Sequence, residues 1–107
     1  MSAAKKMKCP LYDGWTVKLP NGSDEPEEVG CLLERGSVER LIACGAFHYE
    51  DDQGRISVRL ERKARGSEAG YWVAYRRHNG RLMKAYVSEA YAVDPYNLHR
   101  AYRHLMA

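Results

Sequence analysis

Two runs rich in aromatic and β-branched residues, Tyr71-Trp72-Val73-Ala74-Tyr75-Arg76-Arg77 and Arg81 to Ser88, are separated by His78-Asn79-Gly80. Asn-Gly between strand-length runs is a strong short-range hairpin signal, because both residues accept the left-handed backbone that a tight hairpin turn needs. The preceding segment has the same period of two: Ile56, Val58 and Leu60 alternate with Ser57, Arg59 and Glu61, the pattern of a half-buried strand. Phe47 to Tyr49 predicts a further strand, joined to it through the turn residues Asp51-Asp52-Gln53-Gly54. Beyond the hairpin, Asp94 suits a helix cap and Pro95 the first helical position, and Leu98, Ala101, Tyr102 and Leu105 recur at i, i+3, i+4 and i+7. Residues 55 to 107 therefore predict antiparallel strands followed by a packed helix.

Upstream the pattern is weaker. Residues 1 to 12 read as a flexible start, and Gly14 to Leu19 as a short strand stopped by Pro20-Asn21-Gly22. Asp24 and Glu27 predict a capping box for a short helix through Leu32 and Leu33 that ends at Gly36. Ser37 then caps a helix over about 38 to 44, with Val38, Leu41 and Ile42 on one stripe and Gly45 as terminator. The expected fold class is α+β: a three- to four-stranded antiparallel sheet, with a C-terminal helix packed on one face and a short helix before the sheet.

A length of 107 residues suits one domain, which leaves room for one core and one main surface. Its charge is unevenly divided. Residues 1 to 54 carry six Lys/Arg against ten Asp/Glu, net −4, and residues 55 to 107 carry eleven against four, net +7. The chain thus reads as an acidic part over 13 to 54 and a basic sheet-helix unit over 55 to 107. No apolar run approaches the ~18 residues of a membrane span, and Lys5, Lys6 and Lys8 precede no signal-type apolar stretch, so a soluble cytoplasmic protein is expected. Cys9, Cys31 and Cys44 are odd in number and widely spaced, which favours reduced thiols over a disulfide framework. With His48 they offer four ligands soft enough for zinc, but without two tight pairs the better reading is thiols that bind no metal.

The hairpin register decides which side chains share a face. A two-residue Asn79-Gly80 turn pairs Arg76 with Met83 and Tyr75 with Lys84, and both faces then mix apolar with charged groups. A three-residue loop pairs Tyr75 with Met83, Val73 with Ala85 and Tyr71 with Val87, leaving one face apolar throughout. Burying a large apolar side chain stabilises by roughly 1.5 to 3 kcal/mol, far more than the difference between loop types, so the second register is expected. The opposite face then shows Arg59, Trp72, Arg76, Leu82, Lys84 and Tyr86, flanked by Arg55, Lys63 and Arg81. Cations neutralise phosphates, guanidinium groups read guanine edges, and exposed rings stack on unpaired bases. The expected function is nucleic-acid binding, with DNA favoured over RNA, by a small regulator or accessory factor. Its contacts are Arg55, Arg59, Lys63, Trp72, Arg76, Arg81, Lys84 and Tyr86.

The same residues carry a resemblance. The segment Tyr71-Trp72-Val73-Ala74-Tyr75-Arg76-Arg77, a short loop with Gly80, and Arg81-Leu82-Met83-Lys84-Ala85-Tyr86 resembles small prokaryotic segments reading Tyr-Trp-x-Ala-Tyr-Arg-Arg, often found on mobile elements. Three strands followed by a helix are also similar to the arm-binding domain of tyrosine integrases and to AP2-type domains, which dock a three-stranded sheet in the DNA major groove. The resemblance covers about half the chain and implies Arg59, Arg76 and Lys84 as contacts; residues 1 to 45 lie outside it, and nothing matches an integrase catalytic domain.

No phosphate-cradling glycine loop and no nucleophile-base spacing is present, so no enzyme and no cofactor are expected. Glu50, Asp51 and Asp52 read as a solvated turn, and His99 and His104, five apart, as surface histidines. The alternative function is a protein interaction module, an inhibitor or adaptor that presents the basic sheet or the acidic 24 to 28 and 50 to 52 segments. A strand edge at Phe47 to Tyr49 or over 14 to 19 could also pair between copies.

Overall fold

A computed structural model describes residues 9–20, 27–62 and 70–106. Lys63, one of the expected contacts, and Asp24, half of the expected capping box, lie outside them. The described residues form an α+β fold: strands β1 (Leu11–Tyr12), β2 (Val17–Leu19) and β3 (Glu27–Gly30), helix α1 (Arg35–Cys44), strands β4 (Ala46–Asp51), β5 (Gly54–Glu61), β6 (Tyr71–His78) and β7 (Arg81–Glu89), a single 3-10 turn over Ala90–Ala92, and helix α2 (Pro95–Met106). The strands make one seven-stranded sheet in the order β3-β2-β1-β4-β5-β6-β7. It is mixed, because β1 runs parallel to β4 while every other pair is antiparallel. None of the described helices is long and apolar enough to cross a membrane.

The sheet has more strands than the three or four expected. β1 has two residues and β2 three, too short to show a period, and the acidic segment read as a capped helix instead forms β3 at the sheet edge. Its Glu27 meets Arg40 of α1 at 3.1 Å. β4 is central, hydrogen-bonded to both β1 and β5, so the edges are β3 and β7 and not Phe47 to Tyr49.

Both helices cover the same face. Val38 and Leu41 of α1 share one cluster with Phe47, Tyr49, Ile56, Val58, Trp72 and Ala74 of the strands and with Leu98, Ala101, Tyr102 and Leu105 of α2. Those last four are the i, i+3, i+4, i+7 stripe, and all four are buried. The Asp94 carboxylate accepts the Asn97 backbone N–H at 2.7 Å, the N-cap bond that satisfies one of the helix's orphan donors. Helix α1 is capped by Gly45, whose N–H donates to the Leu41 carbonyl at 2.9 Å. It begins three residues before the expected start, with Ser37 buried inside it and the hydroxyl donating to the Val29 carbonyl. Tyr12 and Tyr49 stack at 5.6 Å across the parallel β1–β4 pair, tying the N-terminal strands to the core.

Candidate nucleic-acid interface

Asn79 has φ 53° and Gly80 φ 79°, so both turn residues are left-handed, as a two-residue type I′ hairpin requires. The ladder follows: Arg76 pairs with Met83, Tyr75 with Lys84, Ala74 with Ala85 and Val73 with Tyr86. The expected three-residue register does not form, and β6 is turned over relative to it. Trp72 is fully buried, not displayed. Its ring meets Phe47 edge-on at 5.0 Å and its indole N–H donates to the Ala90 carbonyl at 3.0 Å. Arg76 lies on the helix-covered face, opposite to Lys84 in orientation, so the expected combination of Trp72, Arg76 and Lys84 on one surface does not exist.

Two nonlocal features make the mixed register tolerable. Arg76 sits where α2 ends, and its guanidinium donates to the Leu105 carbonyl at 2.8 Å, so this cation on the helix side stays partly exposed and serves a helix terminus. At the other end of the hairpin the ladder jumps from Val73–Tyr86 to Trp72–Ser88, a bulge that lets Val87 and Ser88 both be buried.

The open face of the sheet is reconstructed from the register. One row across it reads Ala46, Arg59, Val73, Tyr86, and the next reads His48, Ser57, Tyr75, Lys84. Beyond these lie Glu50 paired with Arg55 and Arg77 paired with Leu82; on the other side lie Glu61, Tyr71 and Glu89. Of the expected contacts, Arg55, Arg59, Lys84 and Tyr86 share this face. Arg81 pairs with His78 at the hairpin tip, on the side of Met83 and Arg76. Arg77, Tyr71 and Tyr75 join the face although the sequence reading placed both tyrosines in the core; the parity of a two-residue Asn-Gly turn is the signal that identifies all three.

Ser57, Arg59, Tyr75, Arg77 and Leu82 line a shallow depression of about 410 Å³. Among the described residues, Arg59, Arg77 and Lys84 have no carboxylate in ion-pair range, whereas Arg55 is held by Glu50 at 2.9 Å. Tyr86 and Leu82 are 53% and 55% exposed, so apolar surface stands beside unpaired cations. The phenols are engaged: Tyr75 donates to Glu61, and Tyr86 to Glu89 at 2.9 Å. These hydrogen bonds push both hydroxyls above their ordinary value, keeping the rings neutral. Desolvation, with Arg55 adding to it, lowers the pKa of His48.

Comparison with protein-family models, with curated proteins and with solved structures finds no match to the chain. The chemistry of the face must then be read from its own atoms. Three cations without a carboxylate partner among the described residues suit a phosphate backbone, and neutral rings with committed hydroxyls suit stacking. Among the described residues no three His, Cys, Asp or Glu side chains converge as a metal site would require. The three cysteines form no disulfide.

Proposed function

We propose that the open sheet face binds nucleic acid, and that the chain acts as a small binding protein without catalysis of its own. The observation that supports this is the grouping of Arg59, Arg77 and Lys84, without carboxylate partners among the described residues, around Tyr75, Tyr86 and Leu82 on the face that neither helix covers. The contacts are a revised set: Arg59, Arg77, Lys84 and Tyr86, with Arg55 shared with Glu50. Arg76 and Trp72 have structural work instead.

Anisotropy of a labelled oligonucleotide, titrated with salt, tests the reading. Arg59→Ala, Arg77→Ala and Lys84→Ala should each weaken binding and flatten the slope of log K against log salt by about one, as loss of one phosphate contact does. Arg76→Ala should leave that slope alone. Parent-like binding by the triple variant refutes the interface.

A second reading has its own observation. Leu33 is 73% and Tyr91 52% exposed, and both line a depression of about 380 Å³ between α1 and the 3-10 turn, on the helix side of the molecule. Such a patch suits a protein partner. Leu33→Asp would abolish capture of that partner without touching oligonucleotide affinity.

A further inference from the structure

Resting on the reading that the open face binds nucleic acid, we infer that it selects single-stranded nucleic acid over duplex. The first ground is width. A protein that reads duplex DNA with a sheet must lower it into a major groove about 12 Å wide. Here β4 to β7 are all at least six residues long and lie side by side, and at ~4.8 Å between neighbours their outer axes are already roughly 14 Å apart before side chains are added. β1, β2 and β3 extend the same sheet beyond β4, so seven strands span roughly 29 Å. The two-stranded part of the hairpin is short: β5 pairs with β6 no further than Tyr75, so only Arg76 to His78 pair with β7 alone, and the β4–β5 turn closes the neighbouring hairpin. The acidic Asp51 and Asp52 lie at that neighbouring turn.

The second ground is what the face presents. Tyr86 shares a row with Arg59 and lies two residues from Lys84, and its ring sits 6.1 Å from that of Tyr71 with its hydroxyl on Glu89, so an exposed neutral ring marks the boundary between the cations and the acidic end of the face. A duplex keeps its base faces stacked on one another and offers such a ring nothing but backbone. An unpaired strand offers both phosphates for Arg59, Arg77 and Lys84 and a base to lay on Tyr86. Glu61 and Glu89, beside Tyr71, close the far end of the track by repelling phosphate. The bound strand therefore runs over the half of the face nearer the hairpin turn.

The experiment uses the full chain and a mixed-sequence strand of about 16 nucleotides, prepared as DNA and as RNA, each alone and annealed to its complement. At constant salt the single strands should bind at least about tenfold more tightly than the duplexes; the DNA and RNA arms tell which backbone is preferred. Tyr86→Ala should weaken single-strand binding at least about fivefold and duplex binding by much less, while Tyr86→Trp restores the single-strand affinity. Because Tyr86 is half-exposed, its removal should leave the melting temperature close to that of the parent. Duplex binding as tight as single-strand binding, with Tyr86→Ala neutral in both, overturns the inference but keeps the interface. Absence of binding to every probe overturns the interface itself.

Discussion

Trp72 has no exposed surface, and its one polar atom is paired with the Ala90 carbonyl. Replacing it with alanine removes the largest fully buried side chain and orphans that carbonyl, so Trp72→Ala should cost about 3 to 5 kcal/mol by urea unfolding. The other tryptophan, Trp15, is 82% exposed. In Trp15→Phe the remaining emission should be blue-shifted and resistant to acrylamide; freely quenched emission contradicts the burial of Trp72. Asp51 gives a pH test at the same scale. Its carboxylate accepts the Asp52 backbone N–H at 2.7 Å and the Tyr49 hydroxyl at 3.2 Å, and it faces His99 at 3.3 Å. The Asp52 N–H is the largest influence that lowers its pKa, with Tyr49 and His99 acting in the same direction against desolvation. A carboxyl depressed in the folded state adds stability above its unfolded value near 3.9 and loses it as pH falls through the folded value. Asp51→Asn should therefore be less stable than the parent at neutral pH, by about 1 kcal/mol or less at this partly exposed site, and the gap should close below about pH 4. A gap that is constant with pH excludes the linkage.

Between elements, Arg76 ties the β6–β7 hairpin to α2. It donates to one of the last carbonyls of α2, and the cation lies at the negative end of the helix. Arg76→Ala should lower stability by about 1 kcal/mol with no change in oligonucleotide affinity, and neighbouring Arg77→Ala should do the reverse. If both variants lose affinity equally, the faces have been assigned wrongly. The two neighbours also show what the sequence makes legible. Helix α2, with its Asp94 cap and buried stripe, and strands β4 and β5 are readable because cap chemistry and periodicity are local properties. Lys84, Tyr86 and Arg59 are on the open face as the sequence predicts, since β5 and β7 each carry their own alternation. Only β6 was inverted. Choosing its register by demanding a wholly apolar face ignored two compensations that sequence does not show: a helix end that takes up Arg76, and a bulge that buries both Val87 and Ser88. Strands β1 to β3 escaped because two to four residues are too few to show a period.

At the scale of the whole molecule, an open sheet leaves two edges, and β7, with nine residues, is the longer. An exposed edge of that length invites pairing with another chain unless charge or irregularity prevents it. β7 has both: Arg81, Lys84 and Glu89 are exposed along it, and the bulge at Val87 interrupts its regularity. In the proposed interface Lys84 therefore has two roles, which can be separated by the sign of its replacement. As a contact for phosphate it must be positive; as a guard of the edge it need only be charged. Lys84→Val should lose oligonucleotide affinity and also self-associate more than the parent in sedimentation velocity, most strongly at high salt, where the remaining edge charges are screened. Lys84→Glu should lose the same affinity, or more, while sedimenting as the parent does. If Lys84→Val sediments like the parent at every salt concentration, Arg81, Glu89 and the bulge at Val87 protect the edge without it, and Lys84 serves only the ligand.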